Sequence, residues 1–159
     1  MSNSSNNAPR AEAAERSTSE LLIVFDPLWA NLPERGLLLH ECGYLELCHN
    51  WNFASVFSPF WRLYWNSKPG FSMDFSGQII DLTPDNLVLI PPHCSYDCWT
   101  KKPTPHFWIH FTYHKTPAHS GAIVIKPGEA ELRVIEDLKE VIKQSLAEEA
   151  PERGRLLAS

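Results

Sequence analysis

The residues best suited to chemistry on a small molecule lie in one short segment, residues 106–111 (HFWIHF). If this segment is a β-strand, period-two geometry places His106, Trp108 and His110 on one face and three apolar residues on the other. An indole plate beside imidazole nitrogens can stack on a small polar ring and hydrogen-bond its hydroxyl groups, so this face predicts a ligand pocket. The alternative is a structural interior, in which Trp108 belongs to the core and neighbouring groups satisfy the histidines.

Seven short β-type runs predict a mainly β domain over residues 20–126. Loops rich in Pro, Gly, Asn, Ser and Lys separate the runs, as is typical of a barrel or sandwich. The runs cover residues 37–49, 60–65, 71–75, 78–82, 87–90, 106–113 and 122–125. Residues 83–86 (TPDN) fit a type I turn, which predicts a hairpin between the runs on either side. The apolar residues 21–25 fit either a further strand or an arm packed across the core.

An amphipathic helix is predicted over residues 127–150, where apolar residues recur every three or four positions. Pro127 precedes its first turn, and Pro151 is expected to end it. The stripe can pack on the barrel of its own chain, but Val134 and Val141 on one flank make it wide enough to serve a partner helix as well. The expected dimerisation residues are Leu132, Ile135, Leu138, Ile142 and Leu146.

Composition and charge restrict the possible partners. The 159 residues suffice for one domain, and a net charge of −5 without a dense basic cluster argues against DNA binding by this segment alone. No apolar run approaches the ~20 residues that span a bilayer, and the N-terminus lacks an apolar signal segment, so we expect a cytoplasmic protein without membrane contacts. Residues 1–19 are expected to form a disordered tail, and residues 151–159 the start of a linker.

Residues 60–113 resemble the N-terminal, cupin-like domain of the AraC/XylS family of bacterial transcription regulators. Two motifs carry the resemblance, residues 82–92 (LTPDNLVLIPP) and residues 106–111 (HFWIHF). Asp85 and Asn86 replace the Gly and Asp that the family usually has in the turn. The resemblance implies a jelly-roll barrel followed by a helical dimerisation segment. It also implies a non-enzymatic, effector-sensing half of a regulator, which binds a small polar ligand such as a sugar, forms a homodimer and contacts DNA only through a further domain.

The resemblance also suggests which residues contact the ligand. In a sugar-binding member of the family, a His and a Trp two residues apart contact the sugar, and they correspond to His106 and Trp108. A basic residue that contacts the sugar corresponds to Lys68 in an ungapped alignment, with Arg62 as the alternative. A tyrosine after the Pro-Pro pair has Tyr96 as its nearest counterpart, offset by two residues. The remaining candidate is His110, on the same strand face as Trp108.

Two rival functions are a metal-dependent cupin enzyme and a pure oligomerisation module whose interior is filled by its own aromatic residues. Six potential metal ligands lie between positions 93 and 114: His93, Cys94, Cys98, His106, His110 and His114. Metal-binding cupins offer two histidines separated by one residue and a nearby glutamate, and His93 has neither companion. The two cysteines lack a second, similarly spaced pair. We therefore expect no metal, no other cofactor and free, mostly buried thiols.

Overall fold

The computed structural model describes residues 22–24, 36–113 and 121–156, which form ten β-strands and one helix. The strands are β1 (Leu22–Val24), β2 (Leu37–Cys48), β3 (Phe53–Val56), β4 (Trp61–Trp65), β5 (Phe71–Phe75), β6 (Gln78–Leu82), β7 (Leu87–Ile90), β8 (Tyr96–Thr100), β9 (Thr104–Tyr113) and β10 (Ile123–Ile125). The helix α1 covers Glu129–Leu156. The predicted mainly β fold with one C-terminal helix is confirmed for the described residues. The predicted tail, residues 1–19, lies outside them.

The strands form two antiparallel sheets. Sheet A has six strands in the order β1-β2-β9-β4-β7-β10, and sheet B has four in the order β3-β8-β5-β6. One buried cluster takes residues from both sheets, among them Tyr64 and Trp108 from sheet A and Phe71 and Met73 from sheet B. The main core therefore lies between the inner faces of the two sheets, and it is strongly aromatic. None of the helices among the described residues is long and apolar enough to cross a membrane.

Helix α1 covers the outer face of sheet A. Its buried residues Ile135 and Ile142 pack in a second cluster with Tyr44, Trp65 and Phe107 of that sheet. The predicted division of β9 into two faces is thus confirmed, because Phe107 points towards the helix while Trp108 lies in the core between the sheets. Burying each isoleucine side chain contributes roughly 1.5–3 kcal/mol, which holds the helix on the sheet.

Local contacts fix the start of α1 and its position on β2. The Glu131 carboxylate accepts a hydrogen bond from the Gly128 amide at 2.9 Å, which satisfies a donor at the helix entry as in a capping box. About two turns further along, the Lys139 ammonium pairs with Glu136 at 2.8 Å and lies 4.5 Å from the centre of the Tyr44 ring. Lys143 pairs with Glu46 of β2 at 2.9 Å. Two lysines of the helix are therefore held over a single strand.

The predicted hairpin between residues 78–82 and 87–90 is wrong. The turn itself is present, since the Asn86 amide donates to the Thr83 carbonyl at 3.1 Å. However, β6 pairs with β5 in sheet B, whereas β7 pairs with β4 and β10 in sheet A. A two-residue turn at Ser76 and Gly77, both with positive φ, already gives β6 a hairpin partner. The 83–86 turn instead carries the chain from one sheet to the other.

The predicted end of the helix at Pro151 is also wrong, because α1 continues to Leu156. A proline inside a helix removes one backbone hydrogen bond and crowds the carbonyl four residues earlier, at a cost of about 3 kcal/mol. Glu, Ala, Arg and Leu, which are good helix formers, make up most of the sequence on both sides of Pro151. Their preference for helix offsets the proline.

Strands β3 and β8 were not expected from the sequence. Three of the four residues of β3 are exposed, and Ser55 within it has a φ of 53°, so the strand carries no alternating pattern. Strand β8 does alternate, with Tyr96 and Cys98 buried and Asp97 exposed between them. The open question about residues 21–25 is settled in part, because Leu22–Val24 form a strand that pairs with β2.

Candidate functional site

The candidate site is built from three neighbouring strands of sheet A, β2, β9 and β4. Their register places Arg62 opposite His110 and Tyr64 opposite Trp108, while Gly43 of β2 lies opposite Trp108 on the other side. Because side chains alternate along a strand, these residues share the inner face. The face has an aromatic end around His106 and a polar end around Arg62.

At the aromatic end, the His106 imidazole is enclosed by four rings. Their centroids lie 4.9–5.5 Å from its own, and they belong to Trp51, Tyr64, Phe71 and Trp108. Its Nδ1 is 2.8 Å from the Asn66 Oδ1, and the residue is only 3% exposed. Burial, and then the nearby His110, lower the pKa of His106 to about 3, so the imidazole is neutral at physiological pH.

The Trp108 indole is fixed by two residues of β2. Its Nε1 donates to the Glu41 carboxylate at 2.5 Å. A Cβ atom at Gly43 would lie 2.1 Å from the indole Cζ2, so the ring occupies the space that any other residue at position 43 would need. With 8% of the residue exposed, the indole forms part of the wall and offers little open surface.

At the polar end, the half-buried Arg62 guanidinium is held by three hydroxyl groups. Its Nε donates to Ser58 Oγ at 3.1 Å, and its Nη1 donates to the Tyr96 and Tyr64 hydroxyls at 2.8 and 3.2 Å. The two tyrosine hydroxyls are 3.0 Å apart. Burial raises the pKa of both phenols, so they remain protonated and can donate hydrogen bonds.

His110 and Glu41 extend this network. The His110 Nε2 lies 3.5 Å from the Tyr64 hydroxyl, and its Nδ1 lies 3.5 Å from Glu41 Oε2. Since the other oxygen of Glu41 accepts from Trp108, one carboxylate links the two halves of the β9 face. The result is a continuous polar chain from Trp108 through Glu41, His110 and Tyr64 to Arg62.

Phe60 lies at the outer end of the network, among three side chains that can carry positive charge. Its ring centroid is 5.4 Å from that of His40, 5.3 Å from that of His110 and 5.3 Å from the Arg62 Cζ. Burial, and then the proximity of His110, lower the pKa of His40. This end of the site therefore joins an aromatic surface to hydrogen-bond donors.

The loops beside Arg62 are tied together by backbone contacts. The His93 amide donates to the Ser58 carbonyl at 2.8 Å, and His93 has a φ of 65°. This left-handed conformation is uncommon for a residue other than glycine, although histidine tolerates it better than most. Ser58 thus connects the loop after β7 to Arg62, since its hydroxyl accepts from the guanidinium.

The structure brings five of the six predicted ligand-binding residues into this connected site: Arg62, Tyr96, His106, Trp108 and His110. Lys68 lies apart, in the exposed turn between β4 and β5, where its backbone carbonyl accepts from the Thr104 hydroxyl at 3.0 Å. Whether any of the six contacts a ligand stays a prediction.

Sequence reasoning missed several residues of the site, in particular Glu41, Gly43, Ser58, Tyr64 and Asn66. Two of them had a usable signal. Gly43 interrupts a β-type run, which indicates close approach of another group, and Tyr64 lies two residues from Arg62 on the same strand face. Glu41 and Asn66 gave no signal, because their partners lie at least 40 positions away along the chain.

Among the described residues, no group of three or more His, Cys, Asp or Glu side chains comes together in a way that could hold a metal ion. His114, one of the six potential ligands, lies outside them. Burial raises the pKa of the Cys42 and Cys98 thiols to about 12, which disfavours the nucleophilic thiolate.

The residues predicted for dimerisation lie mostly against their own chain. Ile135 and Ile142 are buried in the cluster with sheet A, and Leu132 and Leu138 pack at its edge. The side chain of Leu146 lies outside the described part. Val134 and Val141 remain exposed, and Val134 borders an apolar groove of about 270 Å³ between the helix and sheet A. Dimerisation stays a prediction, and the helix flank that contains Val134 and Val141 is now the expected interface.

No family model and no curated protein matches this chain.

Proposed function

We propose that this chain is the effector-sensing and dimerisation domain of a bacterial AraC-type transcription regulator, with a small polar ligand bound at the Arg62 end of the site. Sugars are the leading ligand class. The observation that carries the proposal is the half-buried guanidinium, which three hydroxyls orient and which still has donors to offer. Such convergent polar groups beside an aromatic surface are typical of small-molecule sites.

The two ends of the site have different parts in this proposal. The space around His106 is filled by rings, so a ligand first meets Arg62 and His110. The half-buried Phe60 ring lies beside the guanidinium and can contact the apolar part of a ligand, while the His110 imidazole can bond ligand hydroxyls. Trp108 acts through Glu41, which it shares with His110. We further propose that the two sheets belong to a jelly-roll of the cupin type.

In this proposal, strand β2 transmits the structural change caused by ligand binding to helix α1. Glu41 of that strand lies in the site, and Tyr44 and Glu46 on its other side contact Lys139 and Lys143 of α1. A ligand that changes the position of Glu41 can thereby bias the helix, to an extent limited by its differential affinity for the two arrangements. In a complete regulator the helices of a homodimer would pass this change to attached DNA-binding units.

A thermal-shift screen of the chain against neutral and acidic mono- and disaccharides tests the proposal. We expect saturable stabilisation by at least one compound, with affinity about 10- to 100-fold weaker in Arg62→Gln, because a hydrogen bond to a charged group is lost. Lys101→Gln, which removes an exposed cation paired with Asp81, is the matched control and should bind normally. Hits that bind Arg62→Gln unchanged would remove Arg62 from the site.

The packing around His106 also favours a second candidate, a pure oligomerisation module with a filled interior. The same screen separates the two, because this module responds to none of the compounds while remaining a dimer. Elemental analysis of the purified chain addresses the third possibility, a metal-dependent cupin enzyme, since stoichiometric transition metal would favour it.

A further inference from the structure

The Arg62 guanidinium carries a charge that no protein carboxylate balances within the described residues. Its protein contacts are three hydroxyl oxygens and the faces of Phe60 and Tyr96, and none of the ion pairs involves it. A cation that is partly removed from water without a counter-charge is costly, and a bound anion would offset this cost.

One nitrogen of the guanidinium is left for that ligand. Nε and Nη1 are taken by the three hydroxyls, and Nη2 donates to no group among the described residues. In the part of the chain that the structure describes, the buried side-chain polar atoms without a partner are Trp61 Nε1 and Asn66 Nδ2, so Arg62 Nη2 reaches solvent. A guanidinium held at Nε and Nη1 presents the two N–H donors of Nη2 in fixed directions, so a carboxylate can accept a charge-assisted hydrogen bond from that nitrogen.

The surroundings of Arg62 also favour an anion. His40 and His110 flank the Phe60 ring next to the guanidinium, and imidazole nitrogens can donate hydrogen bonds to an anion. The nearest carboxylate in the network, Glu41, is engaged by Trp108 and His110 and makes no ion pair with Arg62. An added carboxylate would therefore meet one permanent cation, Arg62, beside two imidazole rings.

Resting on the proposed function, we infer that the effector carries a carboxylate, which pairs with Arg62 Nη2 while His110 bonds its polar groups. Among sugars this selects acidic members, such as uronic and aldonic acids, over neutral ones. The two tyrosine hydroxyls accept from Arg62 Nη1 and so hold the guanidinium in place for the carboxylate.

Isothermal titration calorimetry with matched pairs tests the inference on the full chain. The pairs are D-galacturonate with D-galactose, D-gluconate with D-glucitol, and acetate with acetamide. We expect the acid of at least one sugar pair to bind at least tenfold more tightly than its neutral partner, and the preference to weaken as salt is added. Arg62→Gln should abolish the preference, Arg62→Lys should keep part of it, and Lys101→Gln should leave it intact. Circular dichroism of each variant shows whether the fold is preserved, and Arg62→Lys keeps the test valid if Arg62→Gln unfolds.

Each remaining outcome overturns the inference in a distinguishable way. If neutral and acidic sugars bind equally well and their binding depends on Arg62, the inference that the effector carries a carboxylate is wrong, but the proposed site is correct. If both Arg62 variants still prefer the acids, the ligand carboxylate binds to another part of the protein. If no acid binds saturably, the inference fails, and if no neutral sugar binds either, the proposed function fails with it.

Discussion

Two ionisable side chains on the same inner face, His106 and Arg62, lie in opposite environments. His106 is enclosed by rings and held neutral, whereas Arg62, only half-buried, keeps its charge and is oriented by hydroxyls. The first arrangement gives a closely packed interior, and the second gives a half-buried group that can still bind a ligand. Positioning of a charged group by a packed, neutral neighbour is what a binding site requires.

The buried His106 predicts a specific pH dependence of stability. Its folded pKa of about 3 lies below the ordinary 6.5, so between these values the unfolded chain binds a proton that the folded chain does not. The contribution of neutral His106 to the free energy of unfolding is therefore complete above about pH 6.5. It falls with decreasing pH, by about 2 kcal/mol between about pH 7 and pH 5. Urea denaturation at several pH values should show this loss in the wild type and a smaller one in His106→Gln. Equal pH slopes would contradict the assignment.

The contact between Gly43 and Trp108 predicts the effect of a single methyl group. Gly43→Ala should destabilise the domain by about 1–3 kcal/mol, because its Cβ would overlap the indole. In a Trp108→Phe background, which removes the Cζ2 atom of the indole, the same change should cost much less. Additive free energies of unfolding in this double-mutant cycle would refute the contact.

The sequence allowed prediction of which residues share the β9 face but not how each is covered. His106, Trp108 and His110 follow from period-two alternation, a local property. The rings of Trp51 and Phe71 that enclose His106 arrive from distant parts of the chain, and no local pattern indicates them. For the same reason Arg62 and Lys68 could not be distinguished until the fold placed one inside and the other on a turn.

At the scale of elements, β2 is the strand that connects the site to the helix. It is 12 residues long, contributes Glu41 and Gly43 to the inner face and places Tyr44 and Glu46 under α1. A long strand with both faces engaged transmits displacement better than a loop, because its backbone is hydrogen-bonded on both sides to β1 and β9.

Two adjacent helix residues test how α1 docks. Ile142 is 1% exposed against sheet A, and Val141 beside it is 54% exposed. Ile142→Ala should lower the free energy of unfolding by about 2–4 kcal/mol, because it leaves a cavity. Val141→Ala should change it by less than about 0.5 kcal/mol at concentrations where the chain is monomeric. Similar losses in chemical denaturation would show that the helix does not dock as described.

Most elements were predictable because their patterns are strong and local. The bounds of β5, β6 and β7 follow directly from short apolar runs between turn residues. The pairing of β6 with β7 was mispredicted because a good turn sequence does not reveal whether the flanking strands stay in one sheet. The helix end was mispredicted because the helix-forming residues around Pro151 outweigh the proline.

At the scale of the whole molecule, the exposed flank of α1 predicts the dimer interface. Val134 and Val141 are seven residues apart, two turns of the helix, and are 57% and 54% exposed. We expect a dimer at about 100 μM by size exclusion with light scattering, because covering this flank removes apolar surface from water.

Introducing negative charge on this apolar flank should dissociate the dimer. The double variant Val134→Glu/Val141→Glu is expected to be monomeric, while Ile79→Glu, at an exposed position on β6, should remain dimeric. A monomeric wild type, or a double variant that stays dimeric, would show that the helix serves only its own chain.

Side-chain NMR during a ligand titration is the most direct test of ligand binding around Arg62. With D-galacturonate as the probe, the Arg62 Nε–H signal and the ring signals of Tyr96 and His110 should shift together and saturate with one dissociation constant. Signals from the helix groove, such as those of Leu63 and Leu138, should stay unchanged. Saturable shifts confined to the groove, or none at Arg62, would contradict the account.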